Sequence, residues 1–146
     1  MEELESAQAI PDFALFGWPY TGLVTLIALA VYLALAINVA RNRRRYRVAP
    51  PEMTGDPAFM RAVRTHANTG EQMILFLPLL WMTAFAANDV VAAGIGILWP
   101  VSRMIYAVGY LKEARRRMPG FVMGIAVLFV LFGTSAVQII RSAMAW

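Results

Sequence analysis

A chain of 146 residues that is 60% hydrophobic, with no cysteine and one histidine, lies outside the range of soluble domains and of disulfide scaffolds. The missing cysteines exclude a thiolate nucleophile or cysteine metal site of the chain's own, and His66 alone excludes a multi-histidine site within one chain. Mean hydropathy is +0.58, and the net charge of +4 is concentrated between apolar segments, so a membrane partner is expected and a nucleic-acid partner is not.

In chain order, Met1 to about Phe13 is polar and acidic, with Glu2, Glu3, Glu5 and Asp12, and predicts a loose outer extension. An acidic start before a long apolar segment is unlike a cleaved signal peptide. The first span, about 18–40, opens with Trp18 and Tyr20 as interfacial aromatics and runs into the basic stretch Arg41 to Arg47. Ala49-Pro50-Pro51 then breaks the helix, because proline lacks a donor and restricts its predecessor. Gly55-Asp56-Pro57 predicts a helix start, with Asp56 as N-cap and Pro57 in the first helical position.

The second helix is predicted over 57–87, roughly 45 Å at 1.5 Å per residue, so its first turns project beyond the bilayer core. Pro78 is placed to kink it. Arg61, Arg64, Asn68 and Glu71 recur at three- and four-residue spacing and share one face. Ionisable groups at such depth cost several kcal/mol and mark functional sites.

Asn88-Asp89 forms the next turn, followed by a third span over 90–117. Arg103, Tyr106, Tyr110 and Arg117 are three, four and seven residues apart, one face of a helix that continues to Arg117 and ends at Pro119-Gly120. The fourth span, 120–141, is apolar with Gly124, Ala126, Gly133, Ser135 and Ala136 for close packing. The predicted fold is all-α and membrane-integral, a four-transmembrane-helix bundle filling the chain as one domain. Both basic loops then face the cytoplasm and both termini the opposite side.

Two polar faces at one depth define a pocket with several arginines, one carboxylate, an amide and two phenols. Arginine grips carboxylates in bidentate fashion, and Glu71 is suited to an ammonium. Glutathione has carboxylates, an ammonium and a thiol, and a nearby arginine lowers a thiol pKa from its reference near 8.5. Other zwitterionic ligands pass the same test.

At these residues the chain resembles the MAPEG superfamily, the membrane-associated proteins in eicosanoid and glutathione metabolism. The resemblance rests on Asn38 through Pro51, on Gly55-Asp-Pro-Ala-Phe-Met-Arg61-Ala-Val-Arg64 continuing through Asn68 and Glu71 to Trp81, and on Ser102-Arg103-Met-Ile-Tyr106-Ala-Val-Gly-Tyr110. It covers about residues 20 to 140 and is strongest toward the cysteinyl-leukotriene synthase and microsomal glutathione transferase branch. It implies a homotrimer with glutathione bound between subunits on the cytoplasmic side. Arg64, Asn68 and Glu71 would then hold glutathione, with Tyr106 and Tyr110 from the adjoining subunit. It places Arg117 at the thiolate-stabilising position, with Arg115 and Arg116 of the same run as open alternatives, Arg44 near the lipid substrate and Arg43 at a glutathione carboxylate. His66 and Arg103 align with polar positions lining the site. Gln72 completes the binding set, standing where the synthase has a tyrosine.

Plainer roles compete with these. Glu71 fits a structural ion pair with Arg64 or Arg61, and Tyr106 and Tyr110 fit packing with a polar handle. His66 suits a polar lining better than a catalytic base, and Arg44 a phospholipid headgroup. At the level of the whole protein, a glutathione-dependent enzyme acting on lipophilic electrophiles or lipid hydroperoxides competes with a non-catalytic lipid-binding or adaptor protein on the same scaffold. The retained polar set favours the enzyme.

Overall fold

The computed structural model describes residues 17–145, so the acidic extension predicted over Met1 to Phe13 lies outside the described residues. Five α-helices and one 3-10 turn follow in order: α1 (Pro19–Tyr46), α2 (Pro57–Ala86), α3 (Asp89–Gly96), α4 (Leu98–Lys112), the turn Ala114–Arg117 and α5 (Met118–Met144). Helix α1 packs on α2, α2 on α5, and α4 on α5, with α3 and α4 forming one interrupted column.

Asp56 caps α2 as its sequence signature requires, accepting the Ala58 N–H at 2.7 Å with Pro57 behind it. At the opposite end the Asn88-Asp89 turn serves two helices. Asn88 Oδ1 accepts the Val91 N–H at 2.8 Å and starts α3. The Asp89 carboxylate accepts the Thr21 N–H at 2.7 Å and the Tyr20 N–H at 3.0 Å. It thereby caps α1, which has no capping side chain of its own.

The core lies between α1, α2, the α3–α4 column and α5: Val24, Ala28, Phe76, Leu80, Trp99, Val127 and Leu131 are buried there. Phe76 and Trp99 stack with centroids 4.2 Å apart. Thr83 Oγ1 and Ser135 Oγ lie 2.8 Å apart and tie α2 to α5, an inter-helical polar contact of the kind membrane bundles use. The outside is apolar, with Leu26, Leu33, Ile74, Phe85, Phe129 and Phe132 all exposed. Among the described residues, three helical stretches are long and apolar enough to cross a membrane: Pro19–Tyr46, Asp89–Lys112 and Ala114–Met144. Helix α2 is equally long but falls short in apolarity, because Thr69, Glu71 and Gln72 occupy its middle.

Several boundaries differ from the sequence expectation. Helix α1 runs on through Arg41–Arg45 to Tyr46, since arginine is a good helix former and suits the C-terminal dipole. It stops only at Arg47, which takes the left-handed conformation at φ 54°. The third span is interrupted at Ile97, where Pro100 cannot supply the N–H that would bond back to Gly96. It ends at Lys112 rather than at Arg117: Glu113 is extended (φ −154°, ψ 139°) and Arg117 belongs to the separate 3-10 turn. Pro119-Gly120 opens α5 instead of closing the preceding helix, as befits a proline in a first turn. Pro78 sits inside α2 without ending it.

Removing the shared cap tests this end of the bundle. Asp89→Ala is expected to lower the stability of the detergent-solubilised protein by about 1–2 kcal/mol, the scale of a lost charged helix cap. Thermal circular dichroism measures it; an unchanged melting curve means the bond to α1 contributes nothing.

Candidate functional site

Asp56 fixes where α2 begins, and from there the helical period carries Asn68 onto the side facing α4. Arg103 of α4 answers it: its Nη1 donates to Asn68 Oδ1 at 3.5 Å, and Asn68 Nδ2 donates to Glu71 Oε2 at 3.5 Å. The Arg103 guanidinium carbon lies 4.2 Å from the centre of the Tyr106 ring, and Tyr106 and Tyr110 have centroids 5.6 Å apart. Arg117 closes the row with its guanidinium carbon 5.1 Å from the centre of the Tyr110 ring. Glu71, Asn68, Arg103, Tyr106, Tyr110 and Arg117 thus form one continuous line of polar groups within a single chain. Within the chain, both tyrosines adjoin Arg103 on α4.

Burial varies sharply along this line. Arg103 is 0% exposed, and its Nε and Nη2 have no hydrogen-bond partner, while Tyr106 and Tyr110 are 3% and 8% exposed. Glu71, Arg64 and Arg117 are exposed on the surface of the chain. Glu71 has no ion-pair partner among the described residues, so the structural pair with Arg64 or Arg61 is not formed. Arg61 instead donates from Nε to the Leu111 carbonyl at 3.3 Å, at the end of α4. A cationic side chain with free donors in a low-dielectric interior is costly unless an anion or polar ligand meets it.

Four expected site residues stand apart from this line within the chain. Gln72 is rotated about 100° round α2 from Glu71 and is buried, its Oε1 without a partner and close to Gly124 of α5. His66 stacks on Tyr32 of α1, ring centroids 4.4 Å apart. Arg43 is committed to the connecting loop, donating to the Glu52 carbonyl at 2.7 Å and to Met53 Sδ at 3.1 Å. Glu52 braces that loop in turn; the Thr54 hydroxyl 2.6 Å away, with the Thr54 and Met53 N–H groups, holds its carboxyl below its ordinary pKa. Arg44 is exposed beside Arg43 in a separate cleft that Arg47, Val48 and Pro50 also line.

Gly120 is a site-shaping residue that the sequence reading passed over. A Cβ there would run into the Tyr106 backbone nitrogen and lie 2.6 Å from the Ser102 carbonyl oxygen, so α5 approaches α4 at the level of the tyrosines only because Gly120 has none. Among the described residues no group of His, Asp and Glu could hold a metal ion.

An apolar-coated helical bundle with a buried guanidinium set among polar groups defines a class, the integral membrane proteins with a polar site between helices. The MAPEG family profile matches residues 21–137, and the chain belongs to the MAPEG family. It is similar to uncharacterized protein sll1147 of Synechocystis sp., 44% identical over 73% of this chain and 77% of that one. It is also similar to microsomal glutathione S-transferase 2 of Bos taurus, 35% identical over 82% of this chain and 85% of the relative. Leukotriene C4 synthase of Bos taurus is 30% identical over 80% of this chain and 78% of its own length.

If Arg103 serves a ligand rather than the fold, Arg103→Met is expected to keep the ligand-free protein within about 1 kcal/mol of wild-type stability, since burying an apolar isostere in place of a poorly paired charge is near neutral. Thermal unfolding in detergent reads this. A loss of several kcal/mol would make Arg103 a structural residue.

Proposed function

We propose that this chain is a glutathione-dependent membrane enzyme, which holds glutathione as its thiolate for conjugation to lipophilic electrophiles, for reduction of lipid hydroperoxides, or for both. The observation that carries the reading is the row of polar groups itself, with Asn68 and Glu71 on one side of the buried Arg103 and Tyr106, Tyr110 and Arg117 on the other. Similarity to microsomal glutathione S-transferase 2 and leukotriene C4 synthase points the same way.

The residues present fit the ligand. The exposed Arg64 suits a carboxylate and the exposed Glu71 carboxylate suits an ammonium, with the buried Arg103 holding Asn68 beside them. Glutathione would supply the nucleophilic sulfur. The chain's own groups do the rest. Arg117 holds negative charge at the sulfur and lowers the thiol pKa, with the Tyr110 ring beneath it fixing its direction. Tyr106 and Tyr110 offer hydroxyl donors along the same line.

An apolar cleft of about 290 Å³, lined by Leu75, Leu79, Ile125, Leu128, Phe129 and Phe132, lies between α2 and α5. Leu75 and Leu79 follow Glu71 at four and eight residues on α2, so the cleft continues the site toward the acyl region. There it would receive a lipophilic second substrate laterally. The exposed Glu71 and Arg64 sit on a helix that enters the bilayer, where acyl chains are poor company for charge. Further copies of the chain covering this face, as in a homotrimer, would remove that cost. Gln72 faces the protein's own core, away from the polar line. The positive-inside rule puts the basic ends and the site at the cytoplasmic face, with both termini opposite.

Arg117→Ala is expected to lower the thiolate fraction of bound glutathione at pH 7 by roughly tenfold, the effect of about one pKa unit, while affinity changes little. Stopped-flow ultraviolet absorbance measures the thiolate; an unchanged signal would reassign its charge to another group. Glu71→Gln is expected to weaken glutathione binding by about tenfold or more, as loss of a charge-assisted hydrogen bond does. Equal affinity by calorimetry removes Glu71 from the site.

A further inference from the structure

We infer that Gly109 and Arg61 are positioning residues: together they seat the basic turn Ala114–Arg117 on the end of α4, and that seat aims Arg117 at Tyr110. The inference rests on the proposed role of Arg117 and concerns how that group is placed.

The chain leaves α4 at Glu113 in an extended conformation, from which three consecutive arginines would ordinarily run out into water. They fold back instead. A Cβ on Gly109 would strike the Arg116 carbonyl oxygen and lie 2.8 Å from its carbonyl carbon, so the backbone of the turn rests directly on α4. The obstacle is main chain, and no rotamer change would relieve it. The Glu113 N–H donates to the Gly109 carbonyl at 3.0 Å, and the Arg116 N–H to the Glu113 carbonyl at 3.1 Å, closing the fold-back.

Arg61 grips the same place from α2. Its Nε donates at 3.3 Å to the Leu111 carbonyl, one of those left without a helical partner where α4 stops. Gly109 and Tyr110 are neighbours on α4, and the turn uses both: Arg116 backbone lies on the glycine, and the Arg117 guanidinium lies over the tyrosine ring. The exposed Arg116–Glu113 ion pair at 3.0 Å adds little to this seat. An added methyl at Gly109 must lift the turn, and loss of the Arg61 donor must loosen the helix end beneath it. Either change moves Arg117 without removing any group that meets the ligand.

The test uses Gly109→Ala, Arg61→Met and Arg61→Lys in the full-length detergent-solubilised protein. Hydrogen exchange of the 113–118 segment without ligand reads the seat. Ultraviolet titration of bound glutathione reads its thiol pKa, and calorimetry its affinity. Faster exchange confined to that segment is expected in Gly109→Ala and Arg61→Met. Their thiolate titration should move to higher pH, with at least about threefold less thiolate at pH 7 and affinity changed less than about twofold. Arg61→Lys, which keeps an N–H donor, should restore both readouts in large part. If Gly109→Ala does not fold, the two Arg61 variants decide alone. Wild-type protein that forms no thiolate overturns the glutathione reading and this inference with it. Wild-type protein that forms the thiolate, beside folded variants whose titration is unmoved, overturns the inference alone.

Discussion

A guanidinium shut away from solvent, holding one long hydrogen bond and two idle donor nitrogens, sets the terms for everything around it. Arg103 lies where α2 and α4 both present polar groups, and it is completely buried there. Burial of that kind is sustained only where further polar atoms complete the shell. Asn68 supplies part of it at 3.5 Å, and the Tyr106 ring face supplies part at 4.2 Å.

The bundle is organised to keep this arrangement in register. Asp56 starts α2 at one residue, and the packing of α2 on α4 and α5 turns Asn68 rather than Gln72 toward Arg103. Asp89 ties the start of α1 to the start of α3 at the far end. Gly120 lets α5 lie against the backbone of α4 between Ser102 and Tyr106. Close packing through small residues and a few inter-helical hydroxyl bonds is what a bundle in lipid has in place of a hydrophobic driving force.

Much of this could be read from residue order because it depends on local rules. The Asp56-Pro57 start and the Arg103-Tyr106-Tyr110 register each follow from helix geometry and were legible directly. The fold-back after Lys112 was not. A run of arginines is a good helical continuation by propensity, and seven-residue spacing from Tyr110 to Arg117 suits a helix, so local signals favoured the wrong path to a correct juxtaposition. What decides it is the contact of Arg116 with Gly109, a tertiary fact. The inward turn of Gln72 and the commitment of Arg43 to Glu52 and Met53 were hidden for the same reason, since neither partner is on the same helix.

The division of labour in this reading is between a polar line that holds a peptide thiol and an apolar cleft that admits a membrane-dissolved partner. Both are built on α2, with Glu71 as the last polar residue and Leu75 the first apolar one along the same face. The most direct measurement is turnover by the purified, folded protein supplied with glutathione and either a lipophilic aryl halide or a lipid hydroperoxide. Glutathione-dependent consumption of at least one of them above the uncatalysed rate is the predicted result. A folded protein that consumes neither, and binds no glutathione, contradicts the account.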